Sequence, residues 1–366
     1  MERQPNLKGL DLIELQSFVG DLGEKKFRAV QLYGWLYAKA ARSFDEMTDI
    51  SKEFRATLSF GAAISNLQPI AQSVSTDGTI KFLFSLDDGL AIESVLIPSK
   101  RKTSGEDNRL TLCVSTQVGC PLDCKFCATG AMGFLRDLTA GEIIDQVIQV
   151  QRNSAKRITN LVYMGMGEPL LNYENVMKSI GIINDAKGLN IGARHITIST
   201  AGYADRIRQL ADEERPVKLA LSLHSLDNDK RTKLMPITKK YPVDILIEAL
   251  DYYYHKKHSR PTFEYILFDG FNDTAADIKA FVKLSRRIPC KVNLIPFHSI
   301  SFMHPSGIGA SLKPTPGPRI EVFANALREA DITVMVRSSS GQDIQAACGQ
   351  LAVIESKAKI NNTKGV

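Results

Sequence analysis

The spacing of apolar residues changes near residue 109. Upstream, DLIELQSFV and FRAVQLYGWLYAKA repeat apolar side chains at three- and four-residue intervals, the period that gives a helix one oily face. Phe27, Val30, Trp35 and Leu36 are predicted to share that face as core. Gly20, Gly23 and the Ser51-Lys52 step interrupt the pattern, so residues 8–60 are expected to form a module of short helices. IKFLFSLDDGLAIESVLIP then alternates with period two around Asp87-Asp88-Gly89, the pattern of a β-hairpin, and the polar stretch SKRKTSGEDN marks a boundary.

Downstream, the apolar runs RLTLCVST, NLVYMGMG, HITIST, VKLALSLH, FEYILF and KVNLIPF alternate with helical stretches such as TAGEIIDQVIQVQR, NYENVMKSIGIINDA and AADIKAFVKLSRR. Strands that are apolar on both faces belong to a parallel sheet covered by helices. The predicted fold class is therefore α/β, a partial (β/α)6 TIM-like barrel preceded by a small helical domain and a hairpin linker. Domains are expected at 1–75 (helical), 76–108 (hairpin and linker), 109–340 (barrel) and 341–366 (a C-terminal segment). In such folds the loops after the strands build the site. There lie the cysteine loop, Gly165-Met166-Gly167-Glu168-Pro169, Ser199-Thr200, Ser222-Leu223-His224 and Pro296-Phe297-His298.

The chain has 366 residues, enough for a sizeable core. No apolar run reaches the ~18 residues of a membrane span, and MERQPNLKGLDLIELQ lacks the apolar centre of a signal peptide, so a cytoplasmic protein without membrane contact is expected. In that compartment thiols stay reduced, and six cysteines point to metal ligation or reactivity rather than structural disulfides. The net charge of +6 gathers at Lys100–Lys102, Arg152–Arg157, His255–Arg260, Arg286-Arg287 and the Lys357, Lys359, Lys364 tail. Each cluster alone reads as a solvated face; together they permit a track for nucleic-acid phosphates.

In GCPLDCKFC, Cys120, Cys124 and Cys127 follow a C-x-x-x-C-x-x-C spacing on one loop. A structural zinc site takes four ligands, and Cys113 would have to supply the fourth from within a strand. Three thiolates from one loop suit a cubane 4Fe-4S cluster that leaves one iron open to a non-protein ligand. This loop after the first strand of a β/α barrel, with Phe126 before the last cysteine, resembles the radical S-adenosylmethionine superfamily. The resemblance implies a cluster whose open iron holds the amino and carboxylate groups of S-adenosylmethionine. GMGEP at the next strand end fits it physically: Gly167 lets backbone approach a small ligand, and Glu168 can accept from its ammonium. Ser199, Ser222, Leu223 and His224 sit where ribose and carboxylate groups would lie.

VRSSSGQDIQAACGQL places Cys348 in a turn of small residues, where its thiol can be accessible, whereas Cys290 enters a buried strand after Pro289. Taken together, LCVSTQVGCPLDCKFC, GMGEPLLN, ISTAG, LALSLH, VNLIPF and DIQAACGQL resemble the RlmN/Cfr family of RNA adenosine methyltransferases over most of the chain. That family implies methylation of adenosine carbon 2 in 23S rRNA and at position 37 of tRNA, with two S-adenosylmethionine molecules per turnover. It implies that Cys348 carries the methyl group, that Cys113 resolves the adduct through a transient disulfide with Cys348, and that Glu93 accepts a proton. It further implies a reductant of flavodoxin or ferredoxin type, RNA contacts from the helical domain, and a monomer. His298 stands where members often carry Asn; either side chain can hydrogen-bond S-adenosylmethionine. Carbon-8 methylation, as in the Cfr branch, and a non-catalytic iron-sulfur RNA-binding or redox-sensing protein are the alternatives.

Overall fold

In the computed structural model, residues 4–99, 109–337 and 339–353 are described. The first helix, α1 (Leu12–Asp21), starts at a capping box: Asp11 accepts from the Glu14 amide at 2.9 Å while the Glu14 carboxylate accepts from the Asp11 amide at 2.8 Å. It buries Leu15 and Val19. Helix α2 (Phe27–Tyr33) runs into a π-type turn over Gly34–Ala38, and α3 (Lys52–Gly61) buries Phe54 and Leu58.

The stripe expected on α2 is corrected. Phe27 is 52% and Val30 40% exposed, and the buried face is Ala29, Leu32, Tyr33, Leu36 and Tyr37. Those five follow the i, i+3, i+4, i+7, i+8 pattern without a break, and two of them are tyrosines whose rings pack edge to face at 4.8 Å. Trp35 lies at the margin, donating to Asp49 and covered by the Lys39 ammonium at 3.6 Å.

The strands are β1 (Gln68–Val74), β2 (Ile80–Ser85), β3 (Ala91–Pro98), β4 (Leu110–Cys113), β5 (Gln117–Gly119), β6 (Phe134–Asp137), β7 (Asn160–Tyr163), β8 (Ile196–Thr200), β9 (Lys218–Ser222), β10 (Thr262–Leu267), β11 (Lys291–Pro296) and β12 (Thr333–Val336). All but β5 and β6, which form a separate ribbon, join one sheet in the order β1-β2-β3-β4-β7-β8-β9-β10-β11-β12. Strands β4 and β7 to β12 run parallel, and β1 to β3 extend the sheet as an antiparallel meander joined through β3 to β4. All six strands expected of the barrel are present. The hairpin is continuous with them, Val95 of β3 standing opposite Cys113 of β4. Besides the β5–β6 ribbon, two strands of this sheet lie outside the expected set. Strand β1 is exposed at every residue and carries Pro69, and β12 is a half-exposed edge of four residues.

The remaining helices are α4 (Ala128–Met132), α5 (Ala140–Arg152), α6 (Tyr173–Asn184), α7 (Ala204–Asp212), α8 (Asn228–Leu234), α9 (Val243–Lys257), α10 (Ala275–Ser285), α11 (Ile308–Ser311) and α12 (Gly317–Glu329). Of the basic clusters, Lys100–Lys102 and the Lys357, Lys359, Lys364 tail lie outside the described residues. Arg152 and Lys257 hold internal carbonyls, those of Ala40 and Glu213, and so work as struts rather than as free phosphate ligands.

The helical module is fixed to α5 by a buried ion pair. Lys8 Nζ lies 2.8 Å from Asp145 Oδ1, with both side chains almost wholly out of solvent. Asp145 also accepts from the Leu67 amide and from Gln149. Beside it Gly9 meets Gly141, where an added Cβ would stand 2.5 Å from the Gly141 nitrogen. Removing one partner of such a pair leaves a charge in a dry site. Lys8→Met is expected to lower stability by about 3–5 kcal/mol in urea unfolding; a change below about 1 kcal/mol would mean that the pair is effectively solvated.

Candidate active site

Strand β5 ends at Gly119, whose φ of +75° and close approach to Gly133 admit no side chain: an added Cβ would lie 1.8 Å from the Gly133 carbonyl. The chain then loops through Cys120, Cys124 and Cys127 into α4, with Cys127 at its N-cap. Backbone bonds fix the loop, from Cys120 to the Gly133 carbonyl at 2.9 Å and from Lys125 to the Leu234 carbonyl at 2.9 Å. Phe126 packs its ring on the edge of His224 at 4.7 Å.

Burial pushes the Cys120 thiol up to about 12, and it raises Cys124 well above the ordinary thiol range, helped by the neighbouring cysteines. Such thiols ionise only against bound cations. The loop supplies three thiolates, one short of the four ligands a structural zinc site takes. A cubane instead takes one thiolate at each of several irons, and the donor set fits it. Cys113 stands at the end of strand β4, apart from the loop that carries the other three cysteines.

The three loop cysteines line a cleft of about 1060 Å3 with Cys113, Gly167, Glu168, Ser199, Ser222, His224 and Cys348. Gly167 has φ +102°, and a Cβ there would run into Gln117 at 2.6 Å. Glu168 is buried and spans two strand-end loops, its oxygens accepting from Leu170 at 3.0 Å and Ala201 at 2.8 Å. Desolvation raises it to about 7, with the Ala201 amide opposing. An ionised carboxylate in this position accepts from a cationic ligand as well. His224 also has positive φ, +54°, and its Nδ1 accepts from the Ile266 amide at 3.0 Å. Burial holds it down to about 3, so the ring is neutral with its proton on Nε2.

Three expected residues do not line the cleft. Leu223 is fully buried and contributes backbone only: its carbonyl accepts from Arg231 Nε at 3.0 Å and its amide donates to the Glu264 carbonyl at 3.0 Å. His298 is buried past the end of β11, where desolvation lowers its basicity. Glu93 is buried beside the segment that carries Cys348, with Ala352 donating to Oε2 at 3.0 Å and Lys81 Nζ at 3.0 Å from Oε1. Burial raises its pKa, opposed by Lys81 and that amide.

Cys348 is exposed to the cleft, in a turn closed by Gly349 at φ +82°. Its segment docks beside the cluster loop: the Gly349 carbonyl accepts from Ala128 at 2.7 Å and the Leu351 carbonyl from Thr129 at 2.6 Å. The other end is tied to the β1–β2 turn, where Asp343 accepts from Ser75 at 2.6 Å and from the Thr76 amide at 3.1 Å. Desolvation within the cleft raises the Cys348 thiol, and the nearby Arg337 guanidinium opposes it. Arg337 in turn faces Glu264 at 3.6 Å. Cys290, read as structural, is buried away from this cleft.

Glu264, Arg231 and Arg337 are additions to the set read from sequence. Arg231 is completely buried and braces the strand ends through the carbonyls of Leu223, Ala201 and Ser222 and the Thr238 hydroxyl. Its polar surroundings in NDKRTKL gave no sign of that. Glu264 did carry a signal, a carboxylate inside the apolar run FEYILF.

Comparison with known proteins bears on the same residues. The profile of the Radical SAM superfamily matches residues 114–284, and that of the ribosomal RNA large subunit methyltransferase N-terminal domain matches residues 5–64. The chain is 44% identical over 96% of its length, and 97% of the relative's, to a probable dual-specificity RNA methyltransferase RlmN of Christiangramia forsetii. It is 45% identical to the dual-specificity RNA methyltransferase RlmN of Syntrophobacter fumaroxidans, over 94% of this chain and 97% of that one. Among solved structures, a radical SAM methyltransferase from Sphaerobacter thermophilus superposes with a TM-score of 0.85 at 40% identity, covering 95% of this chain and 99% of that one.

Proposed function

The chain belongs to the RlmN family of radical S-adenosylmethionine enzymes, and from that premise we propose that it methylates carbon 2 of adenosine in 23S rRNA and in tRNA at position 37. The observation that carries the reading is the meeting of Cys348 and Cys113 in one cleft with the three loop cysteines and Glu168. A sensor without turnover needs no second accessible thiol beside a ligand pocket.

Carbon 2 of adenine lies between two ring nitrogens and is electron-poor, so it does not attack an electrophilic methyl as an amine would. When bound by Cys120, Cys124 and Cys127, a 4Fe-4S cluster with S-adenosylmethionine supplies one-electron cleavage of a sulfonium and thereby hydrogen abstraction from an unactivated methyl. Glu168, Ser199, Ser222 and His224 hold the sulfonium ligand, with the neutral His224 as donor. Leu223 holds the adjoining strand ends together through its backbone.

Cys348 first takes a methyl group by displacement: its thiolate forms the new S–C bond, the sulfonium leaves as a thioether, and the thiol proton goes to solvent. Arg337 favours the thiolate. Once the methyl carbon has lost a hydrogen and joined carbon 2, protein and RNA are one molecule. Glu93 takes the proton from carbon 2, and the unpaired electron left on the ring would return to the 4Fe-4S cluster, which restores an aromatic, closed-shell base still joined to Cys348. Cys113 then attacks the Cys348 sulfur, the S–C bond breaks, and its electron pair stays on the former methyl carbon, which picks up a proton. The product is methyladenosine and a Cys113–Cys348 disulfide, which a cellular reductant of flavodoxin or ferredoxin type, or a thiol, reopens. The base must stand outside the RNA stack to reach Cys348, so unpaired or extruded adenosine is the substrate. Among the described residues no helix is long and apolar enough to cross a membrane. The chain is expected to act as a monomer in the cytoplasm.

The test is mass spectrometry of nucleosides from 23S rRNA and tRNA incubated with reconstituted enzyme, dithionite and S-adenosylmethionine. It should find 2-methyladenosine in both RNAs. Finding 8-methyladenosine would move the enzyme to the carbon-8 reaction, and absence of 5′-deoxyadenosine would remove the radical chemistry altogether.

A further inference from the structure

Lys81 has no assigned part in this chemistry, yet it is paired with Glu93 and touches the segment that carries Cys348. On β2 it is opposite Val95, and Val95 is opposite Cys113 on β4, so the three side chains share one face of the sheet, the face that lines the cleft at Val95 and Cys113. Glu93 is two residues before Val95 on that face, a diagonal neighbour of Lys81. The two form an ion pair at 3.0 Å with side chains 15% and 6% exposed. The same ammonium reaches the Gln345 carbonyl at 3.4 Å, three residues before Cys348.

Glu93 is thus gripped from both sides. Oε1 faces Lys81, and Oε2 accepts from Ala352 on the segment that carries Cys348. Its main chain is held by two uncharged groups: the Ser115 hydroxyl donates to its carbonyl at 2.6 Å and the Met166 sulfur receives its amide at 3.4 Å. Lys81 is therefore the positive charge that offsets the burial of this carboxylate. We propose that Lys81 is the positioning residue of the proton acceptor, holding Glu93 ionised and joining it to the methyl-bearing segment so that base and Cys348 move as one unit.

The chemistry asks for such a device. A carboxylate without a counter-ion in a dry site takes up a proton and cannot accept another from carbon 2. Lys81 keeps the oxygen basic yet unprotonated, and its second contact, to Gln345, ties the location of the charge to the location of the adduct.

This inference rests on Glu93 being the base, and the experiment separates the two. Holoenzyme variants are loaded with S-adenosylmethionine and RNA, and the release of RNA from the covalent adduct is followed from pH 5.5 to 9. In Lys81→Gln, which keeps a hydrogen-bond donor without the charge, the acid limb of the release rate should move up by about 1–3 pH units, with adduct accumulating at neutral pH and clearing as pH rises. Lys81→Arg should bring the limb back to near its wild-type place. Methylation of Cys348, read from intact protein mass, precedes the proton step and reports an intact fold; if Lys81→Gln loses it, Lys81→Met is measured in the same way. An unshifted limb, or a loss of release equal at every pH, overturns the proposal, as does loss of Cys348 methylation in both charge-free variants. Glu93→Gln is the control for the premise: if it builds up no adduct, the base is elsewhere and the proposed role of Glu93 falls first.

Discussion

Replacing Cys113 by alanine is expected to stop the enzyme after a single event, with RNA joined covalently to Cys348. Nothing in the early steps touches Cys113: methyl transfer to Cys348 and attachment to the base proceed without it. Release is different, because the S–C bond needs a second sulfur to take the place of carbon. Cys113 is fixed in β4 and pushed up to about 12 by burial, while Cys348 and Arg337 bear on its charge from close by. Alanine removes the attacking atom without disturbing the strand, since its methyl fits where the Cβ already lies. A shifted protein band that ribonuclease trims but does not abolish would report the adduct. Free, methylated RNA from Cys113→Ala at a wild-type rate would show that release uses another group.

Replacing Cys348 has the larger consequence for product and the opposite one for the adduct. In Cys348→Ala no sulfur remains to receive the first methyl, so methyladenosine should fall below detection and no protein–RNA adduct should form. The loop cysteines and Glu168 are untouched, so the brown cluster and reductive cleavage of S-adenosylmethionine should persist. That split follows from the fold: Cys348 belongs to the C-terminal segment docked on α4 and the β1–β2 turn, whereas the ligands of the cluster belong to the loop after β5. Loss of both activities together would mean that the segment is needed to build the pocket. Double substitution of Cys113 and Cys348 should behave as Cys348→Ala alone, since the order of steps puts Cys348 first.

Much of this architecture was legible because it is local. The parallel strands announce themselves as short apolar runs, and GMGEP falls at the end of β7, whereas the cysteine loop is set off from β4 by the short strand β5. Long-range features were not. Lys81 and Glu93 sit in strands that alternate like a half-solvated hairpin, and only the docking of residues 341–353 over them turns that face inward. Arg231 reads as a surface residue of a polar helix, yet it is buried because four acceptors around the ends of β8 and β9 satisfy its guanidinium. On α2, hydrophobicity favoured Phe27 and Val30, but the face that packs is set by the unbroken helical period through Ala29 and Tyr33. The functional roles of Cys113 and Glu93 came from resemblance; their neighbourhood with Cys348 is a matter of folding.

The central claim is that the methyl carbon passes through Cys348 on its way to RNA. It is tested by loading the protein with a trideuterated methyl on Cys348, removing the donor, and allowing one turnover with unlabelled S-adenosylmethionine. The account predicts that the RNA receives the methyl carbon from the protein, with two of its deuteriums retained because one hydrogen is abstracted before the base is attacked. Methyladenosine without deuterium would show that the methyl group comes straight from S-adenosylmethionine and would contradict the account.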